Sequence, residues 1–181
     1  MSDRNRRRAL RETRNGLAGR RGILCFSADW KDPVIWAHYS DKHRGLCLGF
    51  DIPDEKCKRI EYATKRLKLP AKPNLVDAEV LLFTKYINWA YEQEIRVWAA
   101  LNTEENGLYF SYFGNKLQLV RVIAGASCSL SEREIMGALE PQAGVSVIKA
   151  RAGFKEFEIV KDKRGFPKAR GDVLGALPLV S

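Results

Sequence analysis

The sequence has little of what disulfide-stapled, zinc-binding or membrane-spanning proteins need. Its 181 residues include four cysteines, Cys25, Cys47, Cys57 and Cys128, and no two of them form a CxxC pair, so a structural zinc site has no support. No run of about 18 apolar residues occurs, which argues against a membrane-spanning helix. The arginine-rich N-terminus has no apolar stretch behind it, unlike a signal peptide. These features predict a cytoplasmic protein with reduced cysteines and no membrane partner.

Several catalytic signatures are also missing. There is no GxSxG turn for a serine hydrolase, and neither a GxGxxG motif nor a Walker loop for a nucleotide. His38 and His43 stand five residues apart, so they do not form the four-residue histidine pair of a zinc-protease helix. No cluster of Asp, Glu and His side chains forms a metal triad in the sequence. Neither a metal site nor a nuclease is therefore predicted.

The net charge of +9 is concentrated at the two ends of the chain. Residues 1–21 hold eight arginines against two acids, a net charge of +6, and residues 161–181 hold five basic residues against two acids, a net charge of +3. The remainder, 22–160, is neutral. This pattern predicts a basic N-terminal arm or helix, a single globular α/β domain, and a basic, loosely ordered C-terminal tail. The segments 1–21 and 161–170 suit a nucleic-acid or protein partner.

Short apolar runs and helix-capping residues alternate along 22–160. Asp32-Pro33 predicts the start of a helix that runs to Lys42, and Asn74 caps a second helix whose apolar spacing continues to Trp89. Strands are predicted over 23–27, 45–52, 58–62, 94–101, 108–113, 117–124, 145–150 and 154–160, with an Asn106-Gly107 hairpin turn and a short helix over 132–140. The predicted fold class is α+β, with a mixed, mostly antiparallel sheet and helices packed on it.

One candidate site lies in the predicted helix, in the string VIWAHYSDKHRG. Trp36, Tyr39 and His43 follow three- and four-residue spacing and so share one helix face, with His38 further round. One interpretation is that the two aromatic residues belong to the core and both histidines are partly exposed. The other is that this helix, between two buried strands, lines a pocket with its aromatic and imidazole groups. The pattern leaves both interpretations open.

A second candidate site lies in WAYEQEIRVW, where Glu92, Glu94 and Arg96 alternate and therefore point to one side of a strand. If that side is solvated, Glu94 and Arg96 form an ordinary surface ion pair. If it faces a cleft, one carboxylate acts as a general base or stabilises an oxocarbenium ion, and Arg96 binds a phosphate in bidentate fashion. Lys85 would join this site from the preceding helix. Ser27, at the end of the strand ILCFS, either binds a ligand or caps a turn.

Two strings from these regions resemble a known family. The first is C-F-S-x-x-W-x-x-P-x-x-W-x-H-Y-x-x-x-H-x-G-x-x-L-G-F, from Cys25 to Phe50, and the second is T-K-x-x-x-W-x-Y-E-x-E-x-R, from Thr84 to Arg96. Both are similar to the bacterial family filed as domain of unknown function 2971, and the likeness spans residues 22–160. Members of that family usually begin with a Lys-Tyr-containing strand and an Asn-Asp-Pro-Phe-Glu loop. Neither element precedes Cys25 here, so the chain resembles a shortened member, a fragment or a member with a late translation start.

A more distant resemblance is to the ADP-ribosyltransferase fold, which includes bacterial toxins that modify DNA. In this likeness Ser27 with Tyr39 matches the middle element of the site, and Glu92 or Glu94 matches the glutamate at the start of a later strand. Taken with the two candidate sites, it gives as predicted catalytic residues Glu92, Glu94, Tyr39 and His38, and as predicted substrate-binding residues Ser27, Trp36, His43, Lys85 and Arg96. The implied reaction begins when nicotinamide leaves NAD. The glutamate then holds a ribose hydroxyl and orients the nucleophile that attacks the positively charged sugar.

Two functions follow as predictions. The first is a nucleotide-using transferase, with NAD as its substrate, that acts as a toxin or phage-defence effector. The second is a non-catalytic binding module that contacts nucleic acid or a protein partner through its basic ends. The first depends on the acidic and aromatic residues of the domain, whereas the second depends on the charge of the termini.

Overall fold

The computed structural model describes residues 4, 7–9, 11–12, 21–68, 70, 74–110, 113–139 and 144–167. Its strands are β1 (Arg21–Ser27), β2 (Leu46–Asp51), β3 (Lys58–Arg59), β4 (Glu61–Ala63), β5 (Thr84–Tyr86), β6 (Glu94–Ala100), β7 (Glu104–Glu105), β8 (Leu108–Tyr109), β9 (Gln118–Ala124), β10 (Ser146–Ala152) and β11 (Ile159–Lys161). Among its helices are α1 (Pro33–Tyr39), α2 (Leu75–Leu82) and α3 (Glu132–Ala138), and 3-10 helix occurs at Asp54–Lys56 and Ile87–Glu92. Most of the predicted basic arm, and most of the predicted tail, lies outside the described residues.

Each of the three helices begins at a capping residue. The Asp32 side chain accepts a hydrogen bond from the backbone N–H two residues later, and Pro33 occupies the first turn of α1. Asn74 and Ser131 each form a capping box with the acidic residue three positions later, at the starts of α2 and α3. The predicted helix starts are therefore confirmed.

The larger sheet carries a helix on each face. Its strand order is β11-β10-β9-β2, and its pairs are antiparallel except for β9 with β10. Successive side chains of β9 point to opposite faces. Ile123 packs in one core cluster with Trp36 of α1, whereas Val122 and Ala124 pack in the other with Ile135 of α3. The core therefore lies on both sides of β9, and the buried indole of Trp36 fixes α1 over this sheet.

The smaller sheet, β1-β6-β3, is antiparallel throughout. Its register places Ser27 directly opposite Glu94. The two sheets are joined by an edge-to-face contact between Phe26 and Phe50, whose ring centroids are 5.8 Å apart. The fold is thus mixed α+β with mostly antiparallel sheets. No helix among the described residues is long and apolar enough to cross a membrane.

Two of the predicted helices are too long. The helix predicted to reach Lys42 ends at Tyr39, because the next residues turn away with positive φ angles. The helix predicted to reach Trp89 ends at Leu82, because β5 pairs in parallel with β4 and a 3-10 helix follows. Its apolar spacing continued past the true end since Phe83, the C-cap, is itself buried.

Three predicted strands also differ from the structure. The strand predicted over 58–62 is divided into β3, which pairs with β6, and β4, which pairs with β5. The Asn106-Gly107 turn is confirmed, with φ angles of 53° and 80°, but it joins only the short strands β7 and β8. The predicted pairing of 94–101 with 108–113 is wrong because β6 is already paired on both sides, by β1 and β3. The strand predicted over 154–160 begins only at Ile159, since residues 153–158 form a turn.

The turn after α1 is held in an unusual backbone conformation. Asp41, Lys42 and His43 have φ angles of 43°, 53° and 68°, in the left-handed region that costs non-glycine residues free energy. The backbone N–H of Gly125, in the loop after β9, donates to the carbonyl of Gly45 at 3.0 Å. The backbone N–H two residues after Gly125 donates to the carbonyl of His43, also at 3.0 Å. The loop after β9 therefore stabilises this turn.

We predict that Gly125→Ala destabilises the protein by about 3 kcal/mol. The added β-carbon would lie 2.2 Å from the carbonyl oxygen of His43, which is a backbone atom and cannot simply rotate away. Gly137→Ala is the matched control, since nothing lies within 4 Å of its β-carbon and alanine is favoured in a helix such as α3 by about 1 kcal/mol. Urea unfolding measures both variants. A Gly125→Ala protein as stable as the wild type would show that the turn and the loop do not meet.

Candidate functional site

Glu92 and Tyr39 connect the two predicted sites. Glu92 ends the 3-10 helix that precedes β6, and Tyr39 ends α1. The Tyr39 hydroxyl donates a hydrogen bond to Oε1 of Glu92 at 2.5 Å. The Glu92 residue is only 5% exposed, whereas Tyr39 is 64% exposed. A buried carboxylate is therefore linked to the surface through the ring of a tyrosine.

Glu92 belongs to a network of four charged side chains. The Lys85 ammonium, from β5, bonds to Oε2 of Glu92 and, at 3.1 Å, to Oε2 of Glu94. Arg96 donates from Nε to Oε1 of Glu94 at 2.6 Å. Gln93 lies between the two acids in the left-handed conformation, and both carboxylates still face the same lysine. The network holds two acids and two bases, so its formal charge is zero.

Burial decides between the two interpretations of the acidic side. Glu94, like Glu92, is 5% exposed, so this side does not face open solvent. The guanidinium of Arg96 also donates to the carbonyl of Leu82. Its N–H groups are thus divided between the carboxylate of Glu94 and a backbone oxygen. A phosphate would have to displace these partners. In this arrangement Arg96 positions Glu94 and does not present a free anion site.

The pKa values separate the roles of the site residues. Burial raises the pKa of Glu94, but hydrogen bonds from Arg96, Cys25 and Lys85 outweigh it and lower the pKa to about 2. The hydrogen bond to Glu92 raises the pKa of Tyr39 to about 12. At neutral pH Glu94 is therefore a fixed anion and Tyr39 a fixed hydrogen-bond donor. Proton transfer at this site is left to other groups.

An aromatic cluster of His38, Tyr39, Trp89 and Tyr91 lies next to the carboxylate. Nδ1 of His38 is 3.0 Å from the hydroxyl of Tyr91, and the His38 ring meets the other three rings at centroid distances of 5.9 to 6.4 Å. The Lys85 ammonium is 5.0 Å from the centroid of Trp89. Rings and a cation around a buried acid are suited to a ligand that has both a planar group and hydroxyls.

Three predicted substrate-binding residues lie outside this hydrogen-bonded cluster. The Ser27 hydroxyl donates to the carbonyl of Asp29 at 2.8 Å and accepts from its N–H at 3.1 Å, so it caps a local turn. Trp36 is buried, and its indole N–H donates to the carbonyl of Trp30 at 2.5 Å. His43 stacks on Trp36 with centroids 6.4 Å apart. Trp36 and His43 therefore do not share the face of Tyr39, as the helical spacing had predicted; they support the core and the turn.

Sequence reasoning did not assign a site role to four residues that contact the site, Cys25, Tyr62, Trp89 and Tyr91. Cys25 lies opposite Arg96 in the register, and burial together with Glu94 raises the pKa of its thiol. The hydroxyl of Tyr62 accepts a hydrogen bond from the backbone N–H of Glu94 at 2.8 Å. Tyr91 contacts His38, as described above. Trp89 and Tyr91 had a usable signal, because both lie in the same string as Glu92.

Comparison of the chain with protein-family models, curated proteins and solved structures gives no match. The two family resemblances therefore stay predictions. In the part of the chain that the structure describes, no group of three or more His, Cys, Asp or Glu side chains is placed to hold a metal ion. The contacts of Glu92 and its neighbours are thus the basis for the proposal below.

The pH dependence of stability tests the charged network. The folded pKa of Glu94, about 2, lies below its ordinary value of 4.5, so its stabilisation is complete above pH 4.5 and is lost as the pH falls toward 2. We predict that Glu94→Gln removes this part of the pH dependence. At pH 7 the variant should be less stable by about 3 kcal/mol, since Arg96 and Lys85 lose a buried partner.

Denaturant unfolding between pH 2 and 7 makes the measurement. Glu105→Gln is the matched control, because Glu105 is exposed on β7 and its loss should change stability by no more than about 0.5 kcal/mol. A Glu94→Gln protein that loses stability over the same pH window, and by the same amount, as the wild type would contradict the assignment.

Proposed function

We propose that the chain is a nucleotide-using transferase that takes NAD as substrate and uses Glu92 as its ribose-binding carboxylate. The single observation behind the proposal is the contact of buried Glu92 with exposed Tyr39, beside the rings of His38, Trp89 and Tyr91. A carboxylate in a desolvated position stabilises positive charge more strongly than one in water. Planar rings supply the surface on which nicotinamide or adenine stacks.

The chemistry follows from the lone pairs of the carboxylate. An ionised carboxylate can accept about four hydrogen bonds, and Tyr39 and Lys85 supply two to Glu92. A ribose hydroxyl would occupy a further position. The bond between the anomeric carbon and the nicotinamide nitrogen breaks, and its electron pair leaves with nicotinamide. The acceptor's nucleophilic oxygen or nitrogen then bonds to that carbon and gives its proton to Glu92.

The remaining site residues position Glu92. Lys85 bonds to both acids, and Glu94, held by Arg96, keeps that lysine in place. Tyr39 fixes the orientation of the carboxylate from the other side. A transferase of this kind that modifies a cellular macromolecule would serve as a toxin or phage-defence effector, which is the biological role we propose for it.

We predict that saturating NAD raises the melting temperature of the wild type, since ligand at a hundred times its dissociation constant adds about 2.7 kcal/mol of stability.

Nicotinamide release should fall at least about 100-fold in Glu92→Gln, which lacks the charged base. It should fall about tenfold in Tyr39→Phe, which loses one hydrogen bond to a charged group. Tyr86→Phe, on an exposed tyrosine of β5, is the matched control and should keep full activity.

Circular dichroism spectra show whether each variant is folded. If the buried change Glu92→Gln prevents folding, the loss of activity expected in Tyr39→Phe still tests the site. If neither NAD nor any other nucleotide shifts the melting temperature, the transferase proposal fails. Full activity in Glu92→Gln would also exclude the assigned role, even if NAD binds.

The second candidate function, a binding module for nucleic acid, is favoured by the charge of the termini. Residues 1–21 carry +6 while 22–160 are neutral. We predict that deleting 1–21 weakens binding to duplex DNA at least tenfold and flattens the salt dependence, because each phosphate contact contributes about 0.9 to its slope. A chain with the arm arginines replaced by lysines keeps the charge and should keep the slope. Affinity that does not depend on salt would rule out this function for the arm.

A further inference from the structure

Two phenylalanines in the turn between β10 and β11 are almost completely exposed. Phe154 is 87% and Phe157 is 99% exposed. Scattered apolar residues are normal on a protein surface, but two almost fully exposed large rings in one short turn indicate a binding surface. The turn over residues 153–158 takes no part in the site around Glu92.

Backbone contacts hold this turn in one shape. The N–H of Gly153 donates to the carbonyl of Glu158 at 2.7 Å, and the N–H of Ile159 donates to the carbonyl of Lys31 at 2.7 Å. A β-carbon on Gly153 would lie 2.9 Å from the carbonyl oxygen of Glu156, so glycine permits this close approach. The two rings are therefore presented on a preformed support, which lowers the entropy cost of binding.

A basic side chain lies against one of the two rings. The guanidinium carbon of Arg151 lies 4.5 Å from the centroid of Phe154, and Lys155 follows directly. Of the two acids in the turn, Glu158 is paired with Lys31 at 3.8 Å and Glu156 is exposed. The charges of Arg151 and Lys155 together exceed that of Glu156, and this balance favours a polyanion.

We infer that the 153–158 turn is a binding surface for single-stranded nucleic acid, independent of the transferase proposed above. Bases stack on the faces of Phe154 and Phe157, and Arg151 and Lys155 contact phosphates. Exposed aromatic rings interleaved with cations are how proteins bind single strands without reading their sequence. The Arg151 guanidinium covers one face of Phe154 and leaves the other for a base, which extends the stack.

A membrane surface fits the turn less well. The two rings are separated by Lys155 and Glu156, and inserting both rings into lipid would carry both of these charges out of water. Stacking on bases uses only the ring faces and leaves the two charges solvated. An apolar pocket on a protein partner would desolvate the same charges, so the observations favour nucleic acid.

Fluorescence anisotropy with a labelled deoxythymidine 12-mer tests the inference on the full chain. Phe154→Ala/Phe157→Ala should bind at least about fivefold more weakly for each ring lost, with the salt slope unchanged, since stacking is not ionic. Tyr109→Ala/Phe110→Ala removes a second half-exposed aromatic pair and should bind like the wild type. An abasic 12-mer, which keeps the phosphates, should bind wild type and Phe variant equally weakly. Arg151→Ala/Lys155→Ala should reduce the salt slope by about 1.4.

Each contrary outcome overturns the inference. The Phe variant binding the 12-mer as tightly as the wild type would do so, and so would equal affinity of the wild type for the abasic strand. Binding to phosphatidylserine vesicles that the Phe variant loses, without any loss on the 12-mer, would reassign the turn to a membrane surface. Neither result depends on NAD turnover, and the circular dichroism spectrum of the variant establishes that these surface changes leave the fold intact.

Discussion

Two carboxylates withdrawn from water must be neutralised, and this requirement arranges the part of the molecule around β6. Taking a single ion out of water costs several kcal/mol, and Glu92 and Glu94 are both buried. Lys85 and Arg96 supply the opposite charges. Because these residues come from β5, the 3-10 helix and β6, the network can form only when those elements lie in one arrangement.

Such a network contributes to specificity as well as to stability. At Glu94 the hydrogen bonds outweigh the cost of burial, and an incorrect arrangement would leave a buried charge without a partner. Lys149 offers a comparison within the same chain, since its buried ammonium bonds to the carbonyls of Gly125 and Cys128 at 2.7 and 2.8 Å. Those contacts tie a loop to β10. Glu92 differs because one of its partners, Tyr39, is exposed, so its network reaches the surface.

The sequence predicts those features of the fold that local rules determine. Helix starts at Asp32, Asn74 and Ser131 were found because a cap depends on residues within one turn. Helix ends were missed because they depend on the tertiary structure. The segment after Leu82 keeps helical spacing, yet pairing with β4 turns it into a strand and brings Lys85 to the acids.

The site residues also divide into those that local rules locate and those that only the tertiary structure locates. Alternation placed Glu94 and Arg96 on one side of β6 correctly, since strand geometry fixes that relation. Alternation gave no information on whether that side was buried, which decides between a surface ion pair and a desolvated acid. The contact between Tyr39 and Glu92 joins residues 53 positions apart, and no local rule reports it. Helical spacing grouped Trp36 with Tyr39, but the large apolar ring of Trp36 is buried in the core.

The distribution of charge makes an acidic site and a basic surface compatible in one chain. A site that stabilises a positively charged sugar needs a negative local field, whereas binding to phosphates needs a positive one. Because residues 22–160 are neutral as a whole, neither field is imposed on the entire domain, and salt screens each beyond about 8 Å at physiological ionic strength. The negative field is local to the Glu92 carboxylate and acts only at short range, because Lys85 and Arg96 make the network neutral as a whole. The positive field comes from the exposed Lys155 and the half-buried Arg151, which attract a polyanion before contact. Burial of the acids and exposure of the bases therefore allow the two proposed activities to coexist.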